Sequence, residues 1–212
     1  TNIVEVDLGS ADGRCVQISK EGWVLVDRPK FHFLRSAGFL ALPEPVRGGN
    51  IRELQQLLQL EEKNFLLFVA FLINALKPNG PYLSALVEGQ QGSGKSVVAH
   101  IVKMLIDPNQ AVRMRMPDTV RDLMVQAKEF RLLNFDNASH ITNEMSDALC
   151  TLSTGGGIGV RALYTDGDLN VLSYSRPIIM NGITGYANRP DLLERAIPLQ
   201  LPVMPETGRE RE

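Results

Sequence analysis

The feature that most constrains this 212-residue chain is a glycine-rich octapeptide, Gly89-Gln90-Gln91-Gly92-Ser93-Gly94-Lys95-Ser96. It matches GxxxxGK[ST] at every fixed position, and it stands between an apolar stretch and a segment with helical spacing. Glycines let such a loop turn its N–H groups inward onto phosphates. Lys95 would then reach the β- and γ-phosphates, and the Ser96 hydroxyl would bind magnesium. The motif therefore predicts a strand–loop–helix unit that binds ATP with Mg²⁺.

Composition narrows the class of protein further. Apolar residues make up 44% of the chain and charged residues 22%, which is typical of a globular domain and excludes general disorder. The formal charge of −2 excludes nucleic-acid binding through bulk positive charge, so any such contact would need a local patch. Two cysteines, Cys15 and Cys150, and three histidines, His32, His100 and His140, lack the spacing of a metal site.

The order of elements predicts an α/β fold. Residues 1–47 form a small β-rich segment, and 48–80 a helical linker whose first helix is capped by Asn50. From residue 81 strands and helices alternate, which predicts a mostly parallel sheet flanked by helices over 81–205. The predicted strands are 82–87, 111–116, 130–135, 177–180 and 196–201, and the predicted helices include 62–76, 95–106, 118–128 and 142–152. We expect the tail 206–212 to be truncated before a lid.

No segment is expected to span a membrane. The most apolar run, 65–76, is shorter than the roughly 20 residues that a helical span needs, and it is better interpreted as a buried helix. The low cysteine content fits a reducing compartment, so we expect a cytoplasmic protein.

A second metal ligand is predicted at Asp136, which ends the apolar run 132–136. It follows Lys95 by about 40 residues, enough for two crossovers, and we expect it on the strand next to the P-loop strand, holding magnesium through water. The next residue, Asn137, occupies a position where hydrolysing enzymes commonly have a glutamate. An amide orients water but cannot accept its proton. Either the base lies elsewhere, with Glu88 and Glu144 as weak candidates, or hydrolysis is slow.

Taken with the segments 146–157, 176–181 and 189–196, these motifs resemble the superfamily 3 helicases. These are P-loop ATPases of AAA+ type, in particular the helicase-primase ATPases of phages, integrated elements and large DNA viruses. The resemblance covers roughly residues 81–203. It implies a RecA/AAA+-like core, with Asn181 as the residue that senses the γ-phosphate and Arg195 as the arginine that reaches a neighbouring subunit's ATP. Arg189 competes for that second role.

The resemblance also implies partners. Its members form homo-oligomeric rings such as hexamers and move on single-stranded DNA, which they grip with a hairpin. A hairpin is predicted here over 159–175, with its turn at Asp166-Gly167-Asp168. That tip is acidic and would repel phosphate, so Arg161 and Arg176 at the hairpin base become the candidate DNA contacts.

Three functions remain open from the sequence. The first is a DNA helicase or translocase of a phage or mobile element. The second is a nucleotide-gated assembly or regulatory module with little turnover, which Asn137 and the acidic hairpin tip favour. The third, a small-molecule kinase, is disfavoured because no arginine-rich lid is evident.

Overall fold

The computed structural model describes residues 3–161, 169–183 and 185–202. The helices are α1 (Ile51–Leu58), α2 (Glu62–Leu76), α3 (Lys95–Ile106), α4 (Val120–Glu129), α5 (Asn143–Thr154) and α6 (Pro190–Glu194). The strands are β1 (Val4–Asp7), β2 (Cys15–Ser19), β3 (Gly22–Val26), β4 (Ser84–Glu88), β5 (Leu133–Ala138), β6 (Gly157–Arg161), β7 (Leu169–Ser173), β8 (Ile178–Gly182) and β9 (Ala196–Gln200). The glycine-rich octapeptide follows β4 and leads into α3.

A parallel sheet forms the centre of the molecule. Among the described residues its strand order is β5-β8-β4-β9, and every neighbouring pair is parallel. The first four residues of β4 and all five of β8 are buried, as expected of inner strands covered on both faces. This confirms the predicted α/β class with a mostly parallel sheet flanked by helices.

Helices cover both faces of this sheet, and β4 shows how its side chains are divided. Leu86 packs in the cluster that contains the apolar residues of α4 and α5, whereas Ala85 and Val87 pack in the cluster with α2 and α3. From α2, Phe68 and Phe71 are fully buried in that second cluster. Each buried side chain of this size stabilises the fold by about 1.5–3 kcal/mol relative to an exposed one. The P-loop strand is therefore held rigidly from two sides.

The prediction of a full strand over 111–116 is wrong. Met114 alone pairs with β5: its N–H donates to the Asn134 carbonyl (3.0 Å), and its carbonyl accepts from the Asp136 N–H (2.9 Å). The pairing stops because β5 bulges directly afterwards. This stretch is therefore an extended segment fixed beside β5 at one point.

The strands β1, β2 and β3 form a separate antiparallel sheet. The chain that follows it is tied to the core by backbone hydrogen bonds. The Leu40 N–H donates to the Pro108 carbonyl (2.9 Å), and the Gln110 N–H donates to the Gly38 carbonyl (2.9 Å). No helix in the described parts of the chain is both long and apolar enough to cross a bilayer.

The predicted hairpin has its two strands in place. β6 and β7 pair antiparallel, with Arg161 opposite Leu169. The predicted turn at 166–168 lies outside the described residues.

Candidate nucleotide-binding site

The octapeptide forms a tight loop between the end of β4 and the start of α3. Gly92 (φ 80°) and Gly94 (φ 82°) adopt the left-handed conformation that favours glycine, and Gly94 caps the amino end of α3. At Gly89 a Cβ atom would lie 2.5 Å from the Ser93 hydroxyl oxygen, which is closer than real Cβ contacts. Two glycines are thus needed for the turns and one for the close approach.

Lys95 lies at the start of α3, with its ammonium group held by the loop. Its Nζ donates to the carbonyl oxygens of Gly89 and Gln90, each at 2.8 Å. These are neutral acceptors rather than a carboxylate partner. The charge is therefore available to an anion that enters the loop, where the amino end of α3 adds its favourable dipole.

The two residues predicted to hold magnesium are in contact. The Ser96 hydroxyl donates to Asp136 Oδ1 at 2.9 Å. The prediction that Asp136 would lie on the strand next to β4 is wrong, because β8 stands between β5 and β4. The contact forms because α3 crosses over β8 and β5, which carries Ser96 to the carboxyl end of β5.

Asn181 completes a network around this carboxylate. It lies near the carboxyl end of β8, beside the P-loop strand, is 2% exposed, and donates from Nδ2 to Asp136 Oδ1 at 2.7 Å. Its Oδ1 accepts from the N–H of Asn137 at 3.0 Å. Asn137 itself has a left-handed backbone (φ 56°) at the bulge of β5, and its side chain is exposed. One buried amide thus fixes both the carboxylate and the residue after it.

These residues enclose a cleft of about 560 Å³, within the size range of small-ligand sites. Its lining comprises residues 91–97 together with Asp136, Asn137, Asn181 and Ile183. A hydroxyl and a carboxylate oxygen in contact are the hard ligands that Mg²⁺ prefers, and the glycine-rich loop beside them suits phosphates. The residues present therefore fit a nucleotide with its magnesium ion.

The two candidate bases do not line this cleft. Glu88 ends β4, where its Oε2 accepts from the Gln200 amide at 2.7 Å. Glu144 lies in the first turn of α5 and lines a different hollow. Neither carboxylate is placed to take a proton from water at the P-loop.

The two candidate arginine fingers differ in their surroundings. Arg189 forms ion pairs with Asp147 (2.8 Å) and Asp191 (3.4 Å) of its own chain. Arg195 is exposed and donates to the Asp191 backbone carbonyl (2.9 Å). It immediately precedes β9, and its carbonyl accepts from Ser84 at the amino end of β4, so it lies at the edge of the sheet opposite the P-loop.

The candidate DNA contacts also differ from expectation. Arg176 is half-buried, and its Nε donates to the Ala127 carbonyl at 2.8 Å while its guanidinium lies over the Tyr174 ring. Burial lowers the pKa of Arg176, and the nearby Arg131 charge acts in the same direction. These contacts hold Arg176 inside the fold instead of presenting it to a phosphate. The side chain of Arg161 lies outside the described residues.

Sequence reasoning missed Arg113. Its Nη1 lies 3.8 Å from Asp136 Oδ2, the carboxylate oxygen that Ser96 and Asn181 leave free. Arg113 and Arg115 are exposed, and Met114 between them is buried. No sequence pattern indicates that Arg113 contacts Asp136, which lies 23 positions later.

Comparison with solved structures gives distant likenesses. A DNA polymerase III gamma subunit-related protein from Thermotoga maritima matches at a TM-score of 0.42 with 12% identity, covering 66% of this chain and 47% of that one. JCV helicase with a bound thiazolopyridine compound matches at a TM-score of 0.43 with 13% identity, covering 68% of this chain and 41% of that one. A second JCV helicase structure matches at 0.40 with 17% identity, covering 70% and 42%. The chain spans less than half of the length of these proteins.

No curated protein matches the chain in sequence. A family model does, over residues 53–211, a range that includes the P-loop, Asp136 and Asn181. The matched range is well over half of the chain. The chain belongs to the family AICE_RepA, the actinomycete integrative conjugative element replication proteins.

Proposed function

We propose that this chain is the ATP-binding and hydrolysing motor module of a replication protein of a mobile genetic element. It would assemble as a homo-oligomeric ring with ATP and Mg²⁺ between subunits and move along single-stranded DNA in the cytoplasm. The observation that carries the proposal is the contact of Ser96 with Asp136, 2.9 Å, beside the P-loop ammonium of Lys95. Membership of a replication-protein family supports a role in DNA replication.

Different residues of the chain would bind the phosphates, the metal and the attacking water at such a site. The loop amides and Lys95 would hold the phosphates, and Ser96 and Asp136 would hold the metal, whose charge stabilises the phosphoryl oxygens when it is bound. Asn181 fixes the carboxylate and, with the exposed Asn137, would orient the attacking water. This arrangement supplies positioning but no base, so we expect modest turnover by the isolated chain.

The position of Arg195 supports assembly. It lies at the opposite edge of the sheet from the P-loop of its own chain, and its guanidinium is exposed. Only a second copy could bring this charge to a bound nucleotide. An arginine supplied in this way accelerates phosphoryl transfer by about 10³–10⁵ in related chemistry.

The test compares ATP affinity, ATP turnover and mass in solution, with and without single-stranded DNA. Lys95→Ala should lose nucleotide affinity, whereas Lys128→Ala, which removes an exposed cation from α4, should behave like the wild type. Turnover that DNA stimulates supports the motor. Retention of full nucleotide affinity by Lys95→Ala would refute the site.

A second function has one observation in its favour. Asn137 stands where a glutamate base is common, which favours a nucleotide-gated assembly module with little turnover. Tight ATP binding and an ATP-dependent change of mass, without hydrolysis in the presence of DNA, would select this function. Transfer of phosphate to a small acceptor would contradict both functions and indicate a kinase.

A further inference from the structure

A second cleft, of about 720 Å³, adjoins the nucleotide site. Asp136 and Asn137 line both clefts, so the carboxyl end of β5 forms a wall that they share. Nothing in the proposed roles of the P-loop uses this second cleft. A ligand within it would contact the same two residues that face the nucleotide.

One side of this second cleft carries two arginines. Arg113 and Arg115 are exposed and flank the buried Met114, so they point to the same side of an extended segment. Two residues of extended chain span about 6.6 Å, which is comparable to the separation of neighbouring phosphates on a stretched single strand. Arg115 has no ion-pair partner within the described ranges. Arginine forks of this kind bind phosphate oxygens bidentately.

The rest of the lining suits a polynucleotide better than a free anion. His140, Ser139 and Thr142 border the cleft, and methionine and proline side chains contribute apolar surface for sugars and bases. The carboxylates that line it are Asp118 and Asp136. A metal ion held by Asp136 would neutralise that charge and leave the arginines in excess.

Arg113 connects the two clefts. Its guanidinium lies 3.8 Å from Asp136 Oδ2, while Ser96 and Asn181 contact the other carboxylate oxygen. Magnesium held by Asp136 would compete with the guanidinium for this carboxylate. The side chain of Arg113, 58% exposed and already at the wall of the second cleft, is then free to contact an anion there.

We propose that this second cleft binds the phosphodiester backbone of single-stranded DNA, and that ATP–Mg²⁺ strengthens this binding by releasing Arg113 from Asp136. Arg115 contacts a phosphate in both nucleotide states, and Arg113 contacts one only when the metal occupies Asp136. The inference deepens the proposed function, on which its nucleotide dependence rests.

The experiment measures the affinity of the full chain for a fluorescent oligothymidylate by anisotropy, over a series of salt concentrations. The titrations are run without nucleotide and with a non-hydrolysable ATP analogue and Mg²⁺. Each phosphate contact on single-stranded DNA contributes about 0.7 to the slope of log K against log salt. We expect the nucleotide to steepen the wild-type slope by about 0.7 and to tighten binding.

The variants separate the two arginines. Arg115→Ala should lower the slope by about 0.7 in both states and leave nucleotide affinity unchanged. Arg113→Ala should abolish the difference between the two states. Lys128→Ala removes an exposed cation outside this cleft and should leave both slopes as in the wild type.

A wild-type slope that is the same with and without nucleotide, or an Arg115→Ala slope equal to that of the wild type, would overturn the inference. Equal competition by polyglutamate of the same charge would also overturn it and indicate an acidic peptide ligand. If the wild type binds the ATP analogue in these assays, the proposed nucleotide site survives such a failure. If it binds no nucleotide, the proposed function fails, but the nucleotide-free slopes still test the cleft.

Discussion

Asn181→Asp tests the geometry of the nucleotide site without adding or removing volume. The wild-type amide is buried, donates to Asp136 Oδ1 at 2.7 Å and accepts from the Asn137 N–H at 3.0 Å. The substitution keeps the acceptor for that N–H but replaces the donor with a carboxylate oxygen. Two carboxylates would then face each other at hydrogen-bond distance.

The expected cost follows from these contacts. The hydrogen bond to Asp136 is lost only if the introduced carboxyl ionises, because its protonated form still donates an O–H to Asp136 Oδ1. Two carboxyl groups this close cannot both ionise, so the introduced group keeps its proton and its pKa rises in the fold. Each unit by which the folded pKa exceeds the unfolded value costs about 1.4 kcal/mol at pH above both. Because this rise in the pKa is the whole cost, we expect a loss of about 4 kcal/mol at pH 7.5.

The raised pKa of the introduced carboxyl determines how the stability of Asn181→Asp changes with pH. A carboxyl group whose folded pKa is raised stabilises the fold fully below its unfolded value, near pH 4, and this contribution is lost as pH rises through the folded value. The deficit of Asn181→Asp relative to the wild type should therefore grow between pH 5 and pH 7.5. Mg²⁺ at millimolar concentration should reduce the deficit, because two carboxylates and the Ser96 hydroxyl form a stronger metal site.

Urea denaturation at both pH values, with and without Mg²⁺, measures these differences in the free energy of unfolding. Asn188→Asp is the matched control, since Asn188 is exposed, and its deficit should not depend on Mg²⁺. If Asn181→Asp loses the same stability at both pH values and Mg²⁺ does not restore it, the two side chains are not in contact and the site is described wrongly.

Two further substitutions test the loop and the core. Gly89→Ala places its Cβ against the Ser93 hydroxyl, so nucleotide affinity measured by fluorescence titration should fall at least tenfold, whereas Gly49→Ala, which meets open space, should leave it unchanged. Asp107→Asn removes the charged partner of the fully buried Lys103 ammonium, and burial already lowers the pKa of Lys103. This substitution should reduce the free energy of unfolding in urea by about 3 kcal/mol. Adding Lys103→Met to that variant should restore part of the loss, and no recovery would show that the buried charge is not the cause.

Local signals predicted much of this fold. α2 and α3 begin and end at the predicted residues, because their apolar spacing is helical and because prolines close each segment, Pro78 after α2 and Pro108 after α3. The loop was also predictable from the octapeptide, because its glycines permit backbone conformations that other residues avoid. Such features depend on neighbours in sequence, which a sequence displays directly.

Contacts across the sheet could not be predicted in this way. The distance from Ser96 to Asp136 depends on the path of α3 over β8 and β5, and the place of Arg113 depends on a single bridge at Met114. Both follow from tertiary packing, to which no short-range pattern corresponds. The internal role of Arg176 has the same origin, because its acceptor on α4 is 49 residues away.

The backbone conformation at position 137 is a reason for asparagine, and not glutamate, to follow Asp136. Asn137 stands at the bulge of β5 with φ 56°, a left-handed conformation in which asparagine is several-fold enriched over longer side chains. Its N–H points to Asn181, so the same bulge that turns the backbone also completes the network on Asp136. A glutamate at 137 would carry the strain of that conformation while β5 keeps this bulge. Among the described residues that line the cleft, Asp136 is the one carboxylate, so we expect slow hydrolysis unless a group from elsewhere, such as a second copy of the chain, supplies the base.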